Sequence, residues 1–303
     1  MTAEPQTTMQ APATRAESLA LLVFAIILFG TAWPAMKIGL AGATPIRFAA
    51  ARAILGAGAS FLLLTCIGQL RRPARADLPI ILSVGLFQMT FFFALANLGL
   101  RYLPAGRSAV LAYTTALWLV PLALIVGEVV PRQRWFGVAT GLLGIIVLAD
   151  PLAQDWHAGG ILLGHALLLV AALSWALAIF HARRHVWHLT PLQALPWQML
   201  LAALLLTAMA ALFEPAGHIE MGGSVLVALL YLGIGAGPAA SWAATSVARA
   251  LPILVSSLGF LGVPALGLII STVWMGETIT PALVGGTILI GLGLVLVMTA
   301  RQR

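Results

Sequence analysis

The chain has 303 residues, of which 61% are hydrophobic and only 8% charged, whereas an ordinary soluble domain carries roughly 25% charged residues. A soluble fold would lack the polar surface it needs, and the mean hydropathy of +1.03 marks a polytopic membrane protein. The net charge of +7 does not indicate a nucleic-acid partner, because the 16 basic residues, all Arg except Lys37, are scattered between apolar runs.

Residues 1–16, rich in Ala, Thr, Pro and Gln, lack the hydrophobicity to pack and read as a disordered tail. About 20 apolar residues cross a hydrocarbon core, and on that scale ten spans follow in chain order. They are 18–38, 46–69, 78–100, 103–126, 131–149, 159–181, 191–213, 223–248, 251–275 and 280–300. The first precedes Ala41-Gly42-Ala43 but is of full spanning length, with only Arg15 as a basic residue in the tail ahead of it, so it reads as a retained span and not a cleaved signal. Short connections such as Arg71-Arg72-Pro73-Ala74-Arg75 and Glu214-Pro215-Ala216-Gly217 leave no room for a soluble domain. With the N-terminus inside, cytoplasmic segments hold eleven basic residues against Lys37, Arg47, Arg101 and Arg107 on the other side. Both termini are therefore expected in the cytoplasm. Cys66, the only cysteine, excludes an intrachain disulfide and is expected to be a small buried residue.

The second half repeats the punctuation of the first. Arg101-x-Leu103-Pro104, then Gly127-Glu128, Gly137 and Gly144, recurs as Arg249-x-Leu251-Pro252, then Gly276-Glu277, Gly286 and Gly293. Five spans per copy is an odd number, so the second copy enters the membrane inverted. Residues 17–150 and 151–303 are thus expected to be two inverted five-helix repeats. Such duplication is the signature of a secondary transporter whose site lies where the halves meet.

These residues carry a family resemblance. Gly30-x-x-Trp33, Pro45 followed by Arg52, Arg101-x-Leu103-Pro104-Ala105 and Gly127-Glu128 are matched by Ser174-Trp175-Ala176, Pro191 followed by Gln198, Arg249-x-Leu251-Pro252 and Gly276-Glu277. In that order and duplication the chain resembles the EamA type of the drug/metabolite transporter superfamily, and within it the exporters of aromatic amino acids and related metabolites. The resemblance implies an all-α membrane protein of ten helices around a central cavity, formed mainly by spans 1, 3, 4, 6, 8 and 9 with spans 5 and 10 peripheral. One departure is that Pro264 lies thirteen residues before Glu277, whereas Thr115 holds the matching place before Glu128 and the proline is Pro121.

A polar side chain in hydrocarbon is costly unless it faces protein or water, so polar groups within spans are the site candidates. Span 4 offers Tyr113, Thr114 and Trp118, which combine hydrogen bonding with a cation-attracting aromatic face. Packing, with the hydroxyls bonded to their own helix, is the competing role. Gln88 in span 3, His165 and Trp175 in span 6, Trp33 in span 1, and Tyr231 and Trp242 flanking Gly233-Ile234-Gly235-Ala236-Gly237-Pro238 in span 8 complete the substrate-contact set. An interrupted span 8 would free backbone groups for a substrate. Arg52, the one basic residue within a span, is expected to snorkel or cap a carbonyl, with substrate contact the less favoured alternative. Glu128 and Glu277 are expected to accept from helix N-terminal N–H groups at the starts marked by Pro131 and Thr280.

None of the nine Asp and Glu residues falls at a predicted membrane centre, which argues against a carboxylate relay and favours a neutral or zwitterionic cargo. An intramembrane enzyme would need a nucleophile with its base or an acidic metal cluster, neither of which is patterned here. His181, His185 and His188 read as loop residues and not metal ligands. A receptor or scaffold gains no support from the duplication. The sequence therefore predicts a non-enzymatic exporter of small metabolites, amino acids above all, embedded in the cytoplasmic membrane. It would need no cofactor, metal or nucleic acid, and it would work by alternating access, with facilitated diffusion preferred over proton coupling.

Overall fold

Lipid offers backbone groups no partner, so apolar runs cross it as helices that satisfy their own N–H and C=O. The computed structural model describes residues 15–150, 160–251 and 259–300, and among these all regular structure is helical apart from one isolated bridge, Ala43 to Ile219. The helices are α1 (Arg15–Leu40), α2 (Pro45–Cys66), α3 (Arg75–Tyr102), α4 (Ala105–Ile125) and α5 (Arg132–Ala149). The second half adds α6 (Ile161–Arg184), α7 (Pro191–Phe213), α8 (Gly223–Leu230, Tyr231–Ala236 and Gly237–Ala250 in succession), α9 (Gly262–Met275) and α10 (Pro281–Thr299).

Local chemistry sets these ends. Pro45, Pro191 and Pro281 open α2, α7 and α10, where a missing N–H costs nothing. Thr190 and Thr280 accept from Gln193 N at 3.3 Å and Leu283 N at 3.1 Å. The repeated glycines Gly127 and Gly276 both stop a helix in the left-handed region, at φ 80° and 68°. The duplicated Gly-Glu pair is thus a duplicated stop.

Eight helices, α1–α4, α6–α8 and α10, are long and apolar enough to cross a membrane. The expectation of ten is met only in part. Helix α5 opens on Arg132 and Arg134, and α9 is 14 residues long. Residues 1–14 of the expected tail and Pro252 of the second motif lie outside the described residues, while Arg15 and Ala16 already belong to α1. Cys66 is exposed at the end of α2 and not buried, so the small-core role assigned to it does not hold.

Helices α5 and α10 pack backbone to backbone at the repeated glycines. A Cβ on Gly137 would lie 2.7 Å from Gly293 O, and one on Gly144 would lie 2.7 Å from Ile290 N and 2.9 Å from Gly286 O. Without a hydrophobic force between helices in lipid, such close approach is what holds them.

Carboxylates tie the halves together at the helix ends. On one face, called upper here, Glu214 accepts from Ile46 N and Arg47 N at 3.0 and 2.9 Å, and Glu277 from Ala105 N and Gly106 N at 2.5 and 3.0 Å. On the opposite, lower face the buried Asp77 accepts from Ala74 N, His188 N and Leu189 N, and Arg184 pairs with Glu128. Glu277 therefore does accept from a helix N-terminus, but that of α4 and not of the helix it precedes, which Thr280 caps.

Candidate functional site

Four helices are interrupted, in two matched pairs. Helix α3 is π-helical over Val84–Phe91 and α8 over Tyr231–Ala236. Their starts are 147 positions apart (231 − 84), close to the 148 between Arg101 and Arg249. In α8 the cause is local, because Pro238 has no N–H and its ring crowds the carbonyl four residues back. In α3 the cause is partly tertiary. Ser174 Oγ of α6 donates to Phe87 O at 2.7 Å, and Thr90 Oγ1 to Gly85 O at 2.7 Å, so side-chain hydroxyls occupy carbonyls within the segment. Single π turns concentrate at functional sites.

The second pair is α4 and α9. Helix α4 breaks at Tyr113–Thr114, both with ψ near zero, while Thr114 Oγ1 and Thr115 Oγ1 donate to Leu111 O and Ala112 O at 2.7 and 2.8 Å. Helix α9 is preceded by a break at Leu261, 148 positions after Tyr113 (261 − 113). Pro121, by contrast, is carried inside the continuing helix, so the bend of α4 comes from the threonines.

Between the two breaks lies a cavity of about 200 Å³, lined by Val110 and Tyr113 of α4, Leu261 and Pro264 of the α9 segment, and Thr287 and Ile290 of α10. Helix α10 thus contributes wall, although the resemblance makes its span peripheral. A second cavity of about 390 Å³ opens at the upper face beside Lys37, Tyr102, Met275 and Glu277. Lys37 Nζ there donates to Leu100 O and Leu103 O at 2.6 and 2.9 Å.

An aromatic wall joins α1, α3 and α6. Trp175 meets Phe92 edge to face with centroids 4.4 Å apart, and Phe29 at 6.4 Å. Phe93 lies beside Phe92, and the Arg52 guanidinium sits 3.9 Å from the Phe93 ring centroid. Arg52 Nη1 also donates to Met36 Sδ at 3.1 Å. The arginine thus takes neither of the roles expected of it, snorkelling or capping a carbonyl.

The other candidates fall in several places. Gln88 is half-buried in the π segment of α3, and its amide has no hydrogen-bond partner among the described residues. Trp118 is half-buried, with its indole N–H enclosed and without a partner among the described residues. Tyr231 bonds Thr31, whose single proton is directed at Ile27 O, so the phenol is the donor. Trp33 is buried in the core. Thr114 is fully buried and bonded to Leu111 O. His165 lies one turn into α6 and is buried, its Nδ1 2.9 Å from Ile161 O. Trp242 is 40% exposed on the flank of α8. His181, His185 and His188 go separately to Ser83, Ala76 O and Asp77, and no metal-binding group of three occurs among the described residues.

Sequence reasoning missed Phe29, Phe92, Phe93 and Met36, which look like ordinary apolar span residues. It also missed that Glu214 and Glu277 clamp backbone donors at the starts of α2 and α4, and Asp77 those of the connection before α7.

Comparison with known proteins gives a consistent answer. A family described as EamA-like transporters matches the chain twice, over residues 17–149 and 162–299. The chain is 28% identical to the "Uncharacterized transporter YvbV" of Bacillus subtilis, covering 96% of this chain and 93% of that protein. It is 28% identical to the "Probable amino-acid metabolite efflux pump" of Salmonella typhimurium, covering 91% and 92%. It is 30% identical to the "Probable terminal-alkyne amino-acid exporter" of Streptantibioticus cattleyicolor, covering 93% and 92%. A solved crystal structure shares the fold at a TM-score of 0.67 and 22% identity, covering 94% of this chain and 97% of that one.

Proposed function

The chain belongs to the EamA-like transporter family, and from that premise we propose that it exports amino acids, aromatic and other neutral ones foremost, across the cytoplasmic membrane by facilitated alternating access. The observations that carry this reading are the two matched pairs of helix interruptions, α3 with α8 and α4 with α9, the second pair flanking a cavity that holds Tyr113. Broken helices put unpaired backbone dipoles where a zwitterion needs them, with no protein carboxylate required at the centre. Two relatives whose names specify amino-acid export, at 28% and 30% identity, support the choice of cargo.

In this reading the two halves are inverted repeats of five helices, the upper face is periplasmic or extracellular, and both termini are cytoplasmic. The bias of basic residues supports that orientation. In a Cys66→Ser background, Thr278→Cys should react with an impermeant thiol reagent added outside, and Ala74→Cys only from inside; the opposite pattern would reverse the orientation. Both positions are exposed.

Tyr113 and Trp118 are assigned to the substrate path, with Gln88, Trp175 and Tyr231 behind them. Cells loaded with phenylalanine through a phenylalanine-containing dipeptide should excrete it when they carry the protein. Tyr113→Ala and Trp118→Ala should cut that efflux by roughly tenfold, the scale of one lost polar or aromatic contact of about 1–1.5 kcal/mol. Normal efflux in both variants at equal membrane levels would return these residues to packing, and no efflux from the wild type would argue against the cargo.

A further inference from the structure

Arg52 is seven residues into α2, roughly 10 Å below the upper end at 1.5 Å per residue. A guanidinium at that depth is expensive and is kept only with partners or a task. Its recorded partners are the Phe93 ring and the Met36 thioether. Neither is an anion, and sulfur is a weak acceptor. Among the described residues no carboxylate lies within salt-bridge distance of it. The upper-face carboxylates Glu214 and Glu277 are both committed to backbone N–H groups. Five donors in a planar fork therefore meet one thioether, and the residue is only half-buried, so the fork is not sealed away.

The surroundings specify what would complete it. Phe93 holds the guanidinium plane from one side and continues into the Phe92, Trp175 and Phe29 wall. A cationic fork beside an apolar aromatic wall fits a ligand with a carboxylate at one end and an apolar or aromatic group at the other. Resting on the amino-acid reading above, we propose that Arg52 is the carboxylate anchor of the transport site, taking the substrate carboxylate bidentately while the substrate side chain lies along Phe92 and Trp175. The guanidinium and the substrate carboxylate neutralise each other, and the substrate ammonium would then be met by carbonyls and hydroxyls of the interrupted helices in place of an acid.

The test compares ligands that differ only in the carboxylate. With purified protein in proteoliposomes, phenylalanine should compete for phenylalanine exchange roughly 10- to 100-fold better than phenylalaninamide, the range for one charge-assisted hydrogen-bonded contact. Arg52→Gln should abolish that preference, and Arg52→Lys should keep part of it. In parallel, phenylacetate should raise the melting temperature of the detergent-solubilised wild type and phenylacetamide should not. This binding arm reads the site even if no amino acid is transported, so failure of the cargo reading is separable from failure of the anchor. Should Arg52→Gln not fold, Arg52→Lys and the wild-type ligand comparison decide the matter. Equal competition by phenylalanine and its amide in the wild type, or an unchanged preference in a folded Arg52→Gln, would overturn the proposal.

Discussion

A Gly144→Leu variant should leave almost no folded protein in the membrane. The Cβ alone would sit 2.7 Å from Ile290 N and 2.9 Å from Gly286 O, and these are backbone atoms of α10 that no rotamer change can move. Relief requires separating α5 from α10, which also unmakes the Gly137 approach to Gly293 O at 2.7 Å. Overpacking of a flexible core costs about 1–3 kcal/mol, and a backbone collision on a helix pair held by close approach lies at or above the top of that range. Size-exclusion profiles of a fluorescent fusion should show loss of the monodisperse peak. Gly58→Leu is the control, since a Cβ there meets nothing within 4 Å on the exposed side of α2, and it should behave as wild type. A monodisperse, thermally normal Gly144→Leu protein would mean that α5 and α10 do not pack as described.

Removing the Glu277 carboxylate should open the upper face. Two backbone donors at the start of α4 depend on it, and each charge-assisted bond is worth about 1.5–3 kcal/mol. Losing both, along with the favourable placement of an anion at a helix N-terminus, shifts any open–closed balance by at least about 3 kcal/mol, more than a hundredfold. In a Cys66→Ser background, a thiol at Val110, now 1% exposed beside Tyr113, should become rapidly alkylated by an impermeant reagent when Glu277→Ala is added. Transport should fall by about tenfold or more because one half of the cycle is over-populated. Glu220→Ala, which removes an exposed carboxylate on the same face, should change neither. Unaltered alkylation in Glu277→Ala would make the contact a local cap without a gating role.

The sequence carried the broad architecture because membrane spans and repeat punctuation are written in short-range signals. Spacing between Gly127-Glu128, Gly137 and Gly144, repeated from Gly276, pointed to a duplicated unit, and the structure gives these residues work as helix stops and as the α5–α10 contact. The α8 interruption was legible because its cause, Gly237-Pro238, lies in the same helix. Its counterpart in α3 was not, since one of the hydroxyls involved is Ser174, 87 residues away. Likewise the displaced Pro121 does not mark the break in α4, where Thr114 and Thr115 turn back on the carbonyls of their own helix. Glu277 shows the same limit. Its type and position suggested a cap, but only folding brings the α4 start to it. Arg52 was visible as a lone basic residue in a span, yet its Phe93 and Met36 neighbours come from helices whose rotation the sequence leaves open. Eight of the ten expected spans are long and apolar enough among the described residues; α5 starts on two arginines, and the residues just before α9, 252–258, lie outside the described ones.

Counterflow in proteoliposomes tests facilitated amino-acid transport most directly. Vesicles containing purified protein and preloaded with unlabelled phenylalanine should transiently accumulate external labelled phenylalanine with no proton or other ion gradient imposed, and His165→Gln should retain that behaviour. Net flux should follow the substrate gradient alone. Absence of counterflow for every amino acid in a full panel, or accumulation that requires a pH gradient and disappears in His165→Gln, would contradict the account.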